Sequence, residues 1–306
     1  MVDKSVRKKK LGHKTVPAKN TRRVSQGTQI RRVNAGRDEA LGERILAAAG
    51  ALNSAGFDPW GLEPRSLAAK VRAFEWLYTH YFRVINEGLE HLPKGRVMIV
   101  ANHSGQLPFD ALMIFLALIK AANPPRIARS MVDYWVPSLP FISSFMAQGG
   151  AVVGSPRNCL DLLEAEQCVL VFPEGTRGLG KPFTQRYELQ PFGTGFVRLA
   201  LEARTPIVPV AVIGSEEMYP GAFSVPALAR PFGMPYFPLT PLISLLGPFA
   251  ALPLPTRISL RWGSPMHLSG DPDMPDEDLR VLVEEVRGSI SEQIRIGRKK
   301  RGWKIF

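Results

Sequence analysis

The chain has 306 residues, 45% of them hydrophobic, which is enough for a large buried core in one big α/β domain or two ordinary ones. Its formal charge of +12 suggests nucleic acid until the charge is located. Residues 1–37 carry twelve Lys/Arg against one acid and residues 295–306 carry six against none, so residues 38–294 come to −5.

No aromatic-interleaved basic stripe, zinc spacing or recognition-helix pattern stands in that mildly acidic body, so nucleic acid ranks last among the partners. The basic ends read either as solvated tails or as anchors on an anionic membrane surface, at about 1 kcal/mol per Lys/Arg close to the headgroups. Cys159 and Cys168 are too few for a disulfide framework and have no metal spacing, so a reduced, intracellular compartment is the default. The five histidines do not cluster as ligands, and no metal is expected. Residues 1–37 lack the apolar core of a signal peptide, although a basic, nearly acid-free segment is compatible with a transit peptide.

In chain order, residues 1–37 have no hydrophobic periodicity and are expected to be a disordered basic tail. A helical pair is expected over 38–90. One helix runs from about Asp38 to Ala51, with acids in its first turn. The second runs over about Ser66–Leu89, where Leu67, Val71, Phe74, Tyr78, Phe82 and Ile85 fall on one face. Residues 91–294 are expected to be the α/β domain. Arg96–Ala101 is an apolar strand of the kind found in central parallel positions. Pro108 marks the start of a buried helix too short to span a bilayer. Strands follow at about Arg126–Ser130, Ala151–Val153, Cys168–Phe172 and Ile207–Ile213, with helices near 141–148, 158–166 and 194–203. This alternation predicts a mostly parallel sheet flanked by helices. Residues 231–255 are uncharged and hold seven prolines, which fits a packed loop or an apolar lip at a lipid interface and rules out a transmembrane helix. Arg257–Trp262 reads as an edge strand, an amphipathic helix starts near Asp276, and residues 295–306 read as a basic tail.

Two stretches carry chemistry. In VMIVANHSGQLPFD (97–110) a strand ends at Asn102-His103, and the small residues Ser104 and Gly105 leave room for a substrate. Asp110 follows in the first turn of the next helix. A neutral imidazole can take a proton from a hydroxyl, and a carboxylate can fix its tautomer and stabilise the cation formed. No serine or cysteine stands in a nucleophile-elbow sequence, so the hydroxyl would belong to the substrate and transfer would be direct. On one straight helix, seven positions would separate His103 and Asp110 by about 10.5 Å along the axis. The loop must therefore fold back. In VFPEGTRG (171–178), Gly175 permits close backbone approach, Arg177 offers a fork for phosphate or carboxylate, and Glu174 can orient that arginine or accept a hydroxyl. Taken alone, this second stretch reads first as a tight turn with a surface ion pair.

NHSGQLPFD, then VFPEGTRG, then IVPVAVIG (207–214) together resemble the glycerolipid acyltransferase superfamily, whose members carry an NHxxxxD block, an FPEGTR-type block and a hydrophobic block in this order. The resemblance spans about residues 95–215. It implies a single acyltransferase-like α/β domain, often preceded by a helical pair at the membrane. It implies His103 as general base with Asp110 as its partner. Glu174, Gly175, Thr176 and Arg177 would hold the acceptor, with Arg157 in GGAVVGSPRN as a loose match to the family's arginine block. The donor would be an acyl thioester, acyl-CoA or acyl carrier protein, and the acceptor a glycerolipid or lysophospholipid. No bound cofactor is required, and the placement would be peripheral, on the cytoplasmic side of a membrane. The His–Asp spacing departs from the family pattern: six residues intervene instead of four, and Pro108 stands where the aspartate would be. A membrane- or lipid-binding protein on an acyltransferase scaffold, or a thioester hydrolase, are the other readings.

Overall fold

A computed structural model describes residues 39–104, 107–230 and 237–302. The tail 1–37, Gly105, the first part of the uncharged run (231–236) and residues 303–306 lie outside the described residues. From Leu41 onward the chain forms one compact unit.

Its centre is a seven-stranded sheet. In chain order the strands are β1 (Ile85–Glu87), β2 (Val97–Ala101), β3 (Ala128–Val132), β4 (Val152–Val153), β5 (Cys168–Val171), β6 (Ile207–Ile213) and, numbered β9 because a small hairpin (β7, Phe223–Ser224; β8, Pro238–Leu239) intervenes, Ser259–Trp262. The spatial order is β1-β9-β6-β2-β5-β3-β4, and every pairing is parallel except β6 with β9. β2 lies between β5 and β6 and is buried throughout. Strand side chains alternate between faces, and the cores follow. Val97, Ile99 and Ala101 join Val208, Val210 and Val212 under α1 (residues 39–49), α2 (Pro64–Trp76) and α3 (Phe109–Lys120). Met98 and Val100 join Ile207, Ala211 and Ile213 under α5 (Pro156–Glu164), α7 (Gly195–Glu202) and α10 (Asp276–Arg301). Four short helices complete the set among the described residues: α4 (Ile142–Gln148), α6 (Thr176–Leu179), α8 (Pro226–Ala229) and α9 (Ile243–Leu246).

Four expectations change. The second N-terminal helix stops earlier than its apolar face suggests. After α2 comes one π turn (Leu77–Tyr81), then Arg83 at φ 46°, and residues 85–87 pair with β9 as a strand. The helical pair is therefore not a separate unit ending at 90, because Ile45, Leu67 and Val71 share a core with Ile99. The 257–262 segment is not an edge, since β1 covers its outer side. The basic C-terminal tail is helix as far as Arg301: Lys300 binds Glu87 at 2.8 Å and Arg301 binds Glu217 at 2.5 Å.

A buried ion pair ties the loop before α2 to the sheet. Asp58 Oδ2 holds Arg129 of β3, while Asp58 Oδ1 accepts the backbone N–H groups of Trp60 (2.9 Å) and Leu62 (2.8 Å). Removing one partner strands the other charge in the core. Asp58→Ala is expected to destabilise the fold by about 3–5 kcal/mol, read as a lower midpoint in urea unfolding. An unchanged midpoint would show that the pair contributes nothing to stability.

Candidate active site

The parallel strands β2, β5, β3 and β6 end on one edge of the sheet, and the two chemical loops leave from adjacent strands on that edge. Continuing the alternation Val97, Ile99, Ala101 aims residue 103 at the face covered by α3, where Asp110 occupies the first turn. The loop does fold back. His103 Nδ1 lies 2.7 Å from Asp110 Oδ2, and that same oxygen accepts the Ser104 N–H at 2.8 Å. Asp110 Oδ1 accepts the Ala111 N–H at 2.7 Å. The fully buried Asp110 carboxylate thus has three polar partners and sits in the first turn of a helix. With Nδ1–H donating to Asp110, Nε2 remains the basic nitrogen, and among the described residues it has no hydrogen-bond partner.

Three further contacts fix the imidazole. The Asn102 side chain pairs with both backbone groups of Val212, accepting its N–H at 2.7 Å and donating to its C=O at 3.1 Å, so it extends the β2–β6 ladder by one side chain. Phe172 stacks on the His103 ring at 4.1 Å between centroids. Glu174 Oε1 accepts the His103 backbone N–H at 2.8 Å, and its Oε2 accepts the Gln190 N–H at 2.7 Å.

Glu174 is tied to backbone through both of its oxygens. It is buried, and it joins the histidine loop to the segment after FPEGTR. Burial pushes its carboxyl above the ordinary value, while Lys181 and the two N–H donors pull it back. Lys181 in turn pairs with buried Glu216 at 2.7 Å, and burial raises that carboxyl as well.

Gly175 stands at φ 58°, ψ −147° before α6, a conformation open to glycine and strained for other residues. Thr176 opens α6. Arg177 is exposed and donates one bond, to the Pro191 carbonyl at 3.3 Å. Arg157 is not brought to the dyad. It sits on α5 after β4, three strands from β2, or roughly 14 Å at the usual strand spacing, and its side chain is 85% exposed against Asp161.

Two residues escape sequence reasoning. Phe172 reads there as the last apolar position of a strand, and Gly178 as a loop glycine. A Cβ at Gly178 would lie 2.8 Å from His103 Cβ and 2.9 Å from Glu174 Cβ, so only glycine lets α6 approach the histidine. Gly178 also lines a cleft together with Lys181, Phe183, Arg186, Glu216 and Tyr219. Among the described residues no cluster of His, Cys, Asp or Glu could hold a metal ion, and no helix is long and apolar enough to cross a membrane.

The Acyltransferase family model matches residues 83–213, the stretch that contains both loops and β2 to β6. An uncharacterised protein of Mycobacterium leprae is 38% identical over 263 residues, 83% of this chain and 71% of its own length. Another, from Mycobacterium tuberculosis, is 38% identical over 266 residues, 83% and 74% of the two chains. A 1-acyl-sn-glycerol-3-phosphate acyltransferase of Limnanthes alba is 30% identical over 149 residues, 46% of this chain and 48% of that protein. Among solved structures, the 1-acyl-sn-glycerophosphate acyltransferase of Thermotoga maritima matches with a TM-score of 0.46 at 20% identity, covering 74% of this chain and 78% of that one. On the family match and its motif-bearing loops, the chain belongs to the glycerolipid acyltransferase superfamily.

Proposed function

We propose that the protein is an O-acyltransferase that moves a fatty acyl group from an acyl thioester, carried by coenzyme A or acyl carrier protein, to a hydroxyl of a glycerolipid or lysophospholipid. We place it peripherally, on the cytoplasmic side of a membrane. The observation that carries the reading is the 2.7 Å contact between His103 Nδ1 and Asp110 Oδ2, which leaves Nε2 as a base beside an immobile carboxylate. The acceptor class rests on family membership and on the similarity to the 1-acyl-sn-glycerol-3-phosphate acyltransferase of Limnanthes alba.

In this reading Nε2 of His103 takes the proton from the acceptor hydroxyl while its oxygen attacks the thioester carbonyl. Asp110 stabilises the imidazolium. Collapse of the tetrahedral intermediate breaks the C–S bond, and the thiol leaves with the proton returned from Nε2. Gly175, Thr176 and Arg177 border the acceptor, with Arg177 available to a phosphate or another anionic group. Arg157 has no place in this step.

The test is a product assay by mass spectrometry with isotopically labelled acyl-CoA and a mixture of lipid acceptors. Label is expected in a lipid ester, formed only when a hydroxylated acceptor is present. Free fatty acid released at a comparable rate without acceptor would replace this reading with a thioester hydrolase. Vesicle binding with no turnover on any acceptor or carrier would replace it with a lipid-binding protein.

A further inference from the structure

Ten of the sixteen large apolar side chains seen exposed among the described residues fall in two insertions, 134–145 and 223–252. Both insertions leave from the edge of the sheet that carries His103. The first follows β3 and returns to β4 level with the end of β3, because Val152 pairs with Met131. The second follows β6 and returns to β9 where Ser259 pairs with Ile213, at the end of β6. The catalytic loop on β2 thus opens between two apolar flanks.

The end of α2 joins those flanks. Phe74 meets Phe145 of the first insertion edge to face at 6.2 Å, and Lys70 Nζ sits over the same Phe145 ring. Trp76 meets Tyr81 in a tilted ring pair at 5.5 Å, and the Tyr81 hydroxyl donates to the Pro253 carbonyl at 2.6 Å. Arg83 donates to the Pro255 carbonyl, and the Tyr219 hydroxyl to Ala251. These bonds pin the backbone of the second insertion while its side chains point away from the body: Leu245 is 79% exposed and Phe249 71%. Phe141 on the other flank is 91% exposed. Residues 241–255 contain no charged residue at all.

We infer that this two-flanked face, with Phe141 and Phe145 on one side, Trp76 between, and Leu245, Phe249 and Leu252 on the other, is the surface on which the protein docks to an anionic lipid bilayer with His103 turned towards the lipid. The inference rests on the acyltransferase reading and adds which face meets the lipid. A fixed backbone bearing exposed rings and aliphatic side chains suits insertion among headgroups and upper acyl chains. The charge agrees, because residues 1–37 supply +11 for an anionic surface, and the mildly acidic body does not. A lipid acceptor would then reach the histidine without leaving the bilayer.

The experiment is co-sedimentation of the full chain with vesicles of equal parts phosphatidylcholine and phosphatidylglycerol. Leu245→Ser combined with Phe249→Ser is expected to weaken partitioning by about tenfold or more, from the apolar area no longer buried. Phe141→Ser is expected to weaken it as well. Val281→Ser, exposed on α10 outside this face, is expected to leave it unchanged. Turnover of a short-chain acceptor below its aggregation limit is expected to match wild type in all of these variants. Wild-type partitioning by the Leu245/Phe249 variant would overturn the inference. So would a lipid-free dimer in sedimentation velocity that this variant dissociates, since the face would then join two copies of the chain. If wild type itself fails to turn over the short-chain acceptor, the enzymatic reading fails, while the vesicle measurement still decides the docking face.

Discussion

His103→Ala is expected to reduce acyl transfer by about 10²–10⁴-fold, the range of general acid–base assistance, with little change in melting temperature. The fold should survive because the His103 contact to Glu174 is made by the backbone N–H, which alanine keeps. What is lost is the base, its hydrogen bond to Asp110 and one stacked ring on Phe172, while Asp110 keeps the Ser104 and Ala111 N–H donors. Asp110→Asn keeps the shape of the carboxylate and removes its charge. It is expected to cost at least ~10²-fold in kcat, because the imidazolium loses its counter-charge and Nδ1 its tautomer-fixing acceptor. Asp110→Ala adds a structural penalty, since the Ser104 and Ala111 N–H groups lose their acceptor. Steady-state rates with labelled thioester, read beside thermal melts, separate these effects. A wild-type rate in His103→Ala would end the proposed mechanism, and a wild-type rate in Asp110→Asn would move the partner's role elsewhere.

Gly178→Ala should be the most damaging single-methyl change near the site. The new Cβ meets the Cβ atoms of His103 and Glu174 and, at 3.0 Å, the His103 carbonyl oxygen. Both residues that carry these atoms are anchored: His103 by Glu174 and Asp110, and Glu174 by Gln190. Overpacking of this kind costs about 1–3 kcal/mol. Relief requires α6 or the end of β2 to move by a few tenths of an ångström or more, and misplacing a catalytic group by about 1 Å can cost about 10²-fold. A kcat loss of roughly tenfold to a hundredfold is therefore expected, with a smaller change in KM. Gly175→Ala is the comparison, because a Cβ there meets nothing within 4 Å and the strain is confined to the backbone at φ 58°. Equal activities in wild type and Gly178→Ala would mean that the close packing of α6 on the histidine is irrelevant to turnover.

Much of this site is legible in the sequence because its parts are local. VMIVA and IVPVAVI are continuous apolar runs, and a strand buried on both faces needs that pattern. Pro108 at the boundary of α3 puts the helix start, and hence the Asp110 carboxylate, one loop from the histidine. The lengthened His–Asp spacing excludes a shared helix, and the structure solves it by a fold-back. Other features are invisible for equally physical reasons. β9 alternates buried and half-buried residues as an edge strand does, yet Arg261 faces partners on both sides, Glu87 from β1 and Gln293 from α10. Residues 295–301 have no apolar repeat of their own strong enough to separate a helix from a tail. Their helix is held by Lys300–Glu87 and by Arg301–Glu217, partners 213 and 84 positions away.

By itself, then, the sequence determined the parallel α/β core, the position of His103 at a strand end, and the neighbouring FPEGTR loop, because strand burial and helix starts are written in short-range patterns. Only the tertiary structure decided that Glu174 clamps the histidine backbone, that Gly178 is the point of closest approach, and that Arg157 stands apart from the dyad. Each of these depends on which strands become neighbours. That choice is made by the burial of whole faces in the sheet, and no window of the sequence contains it.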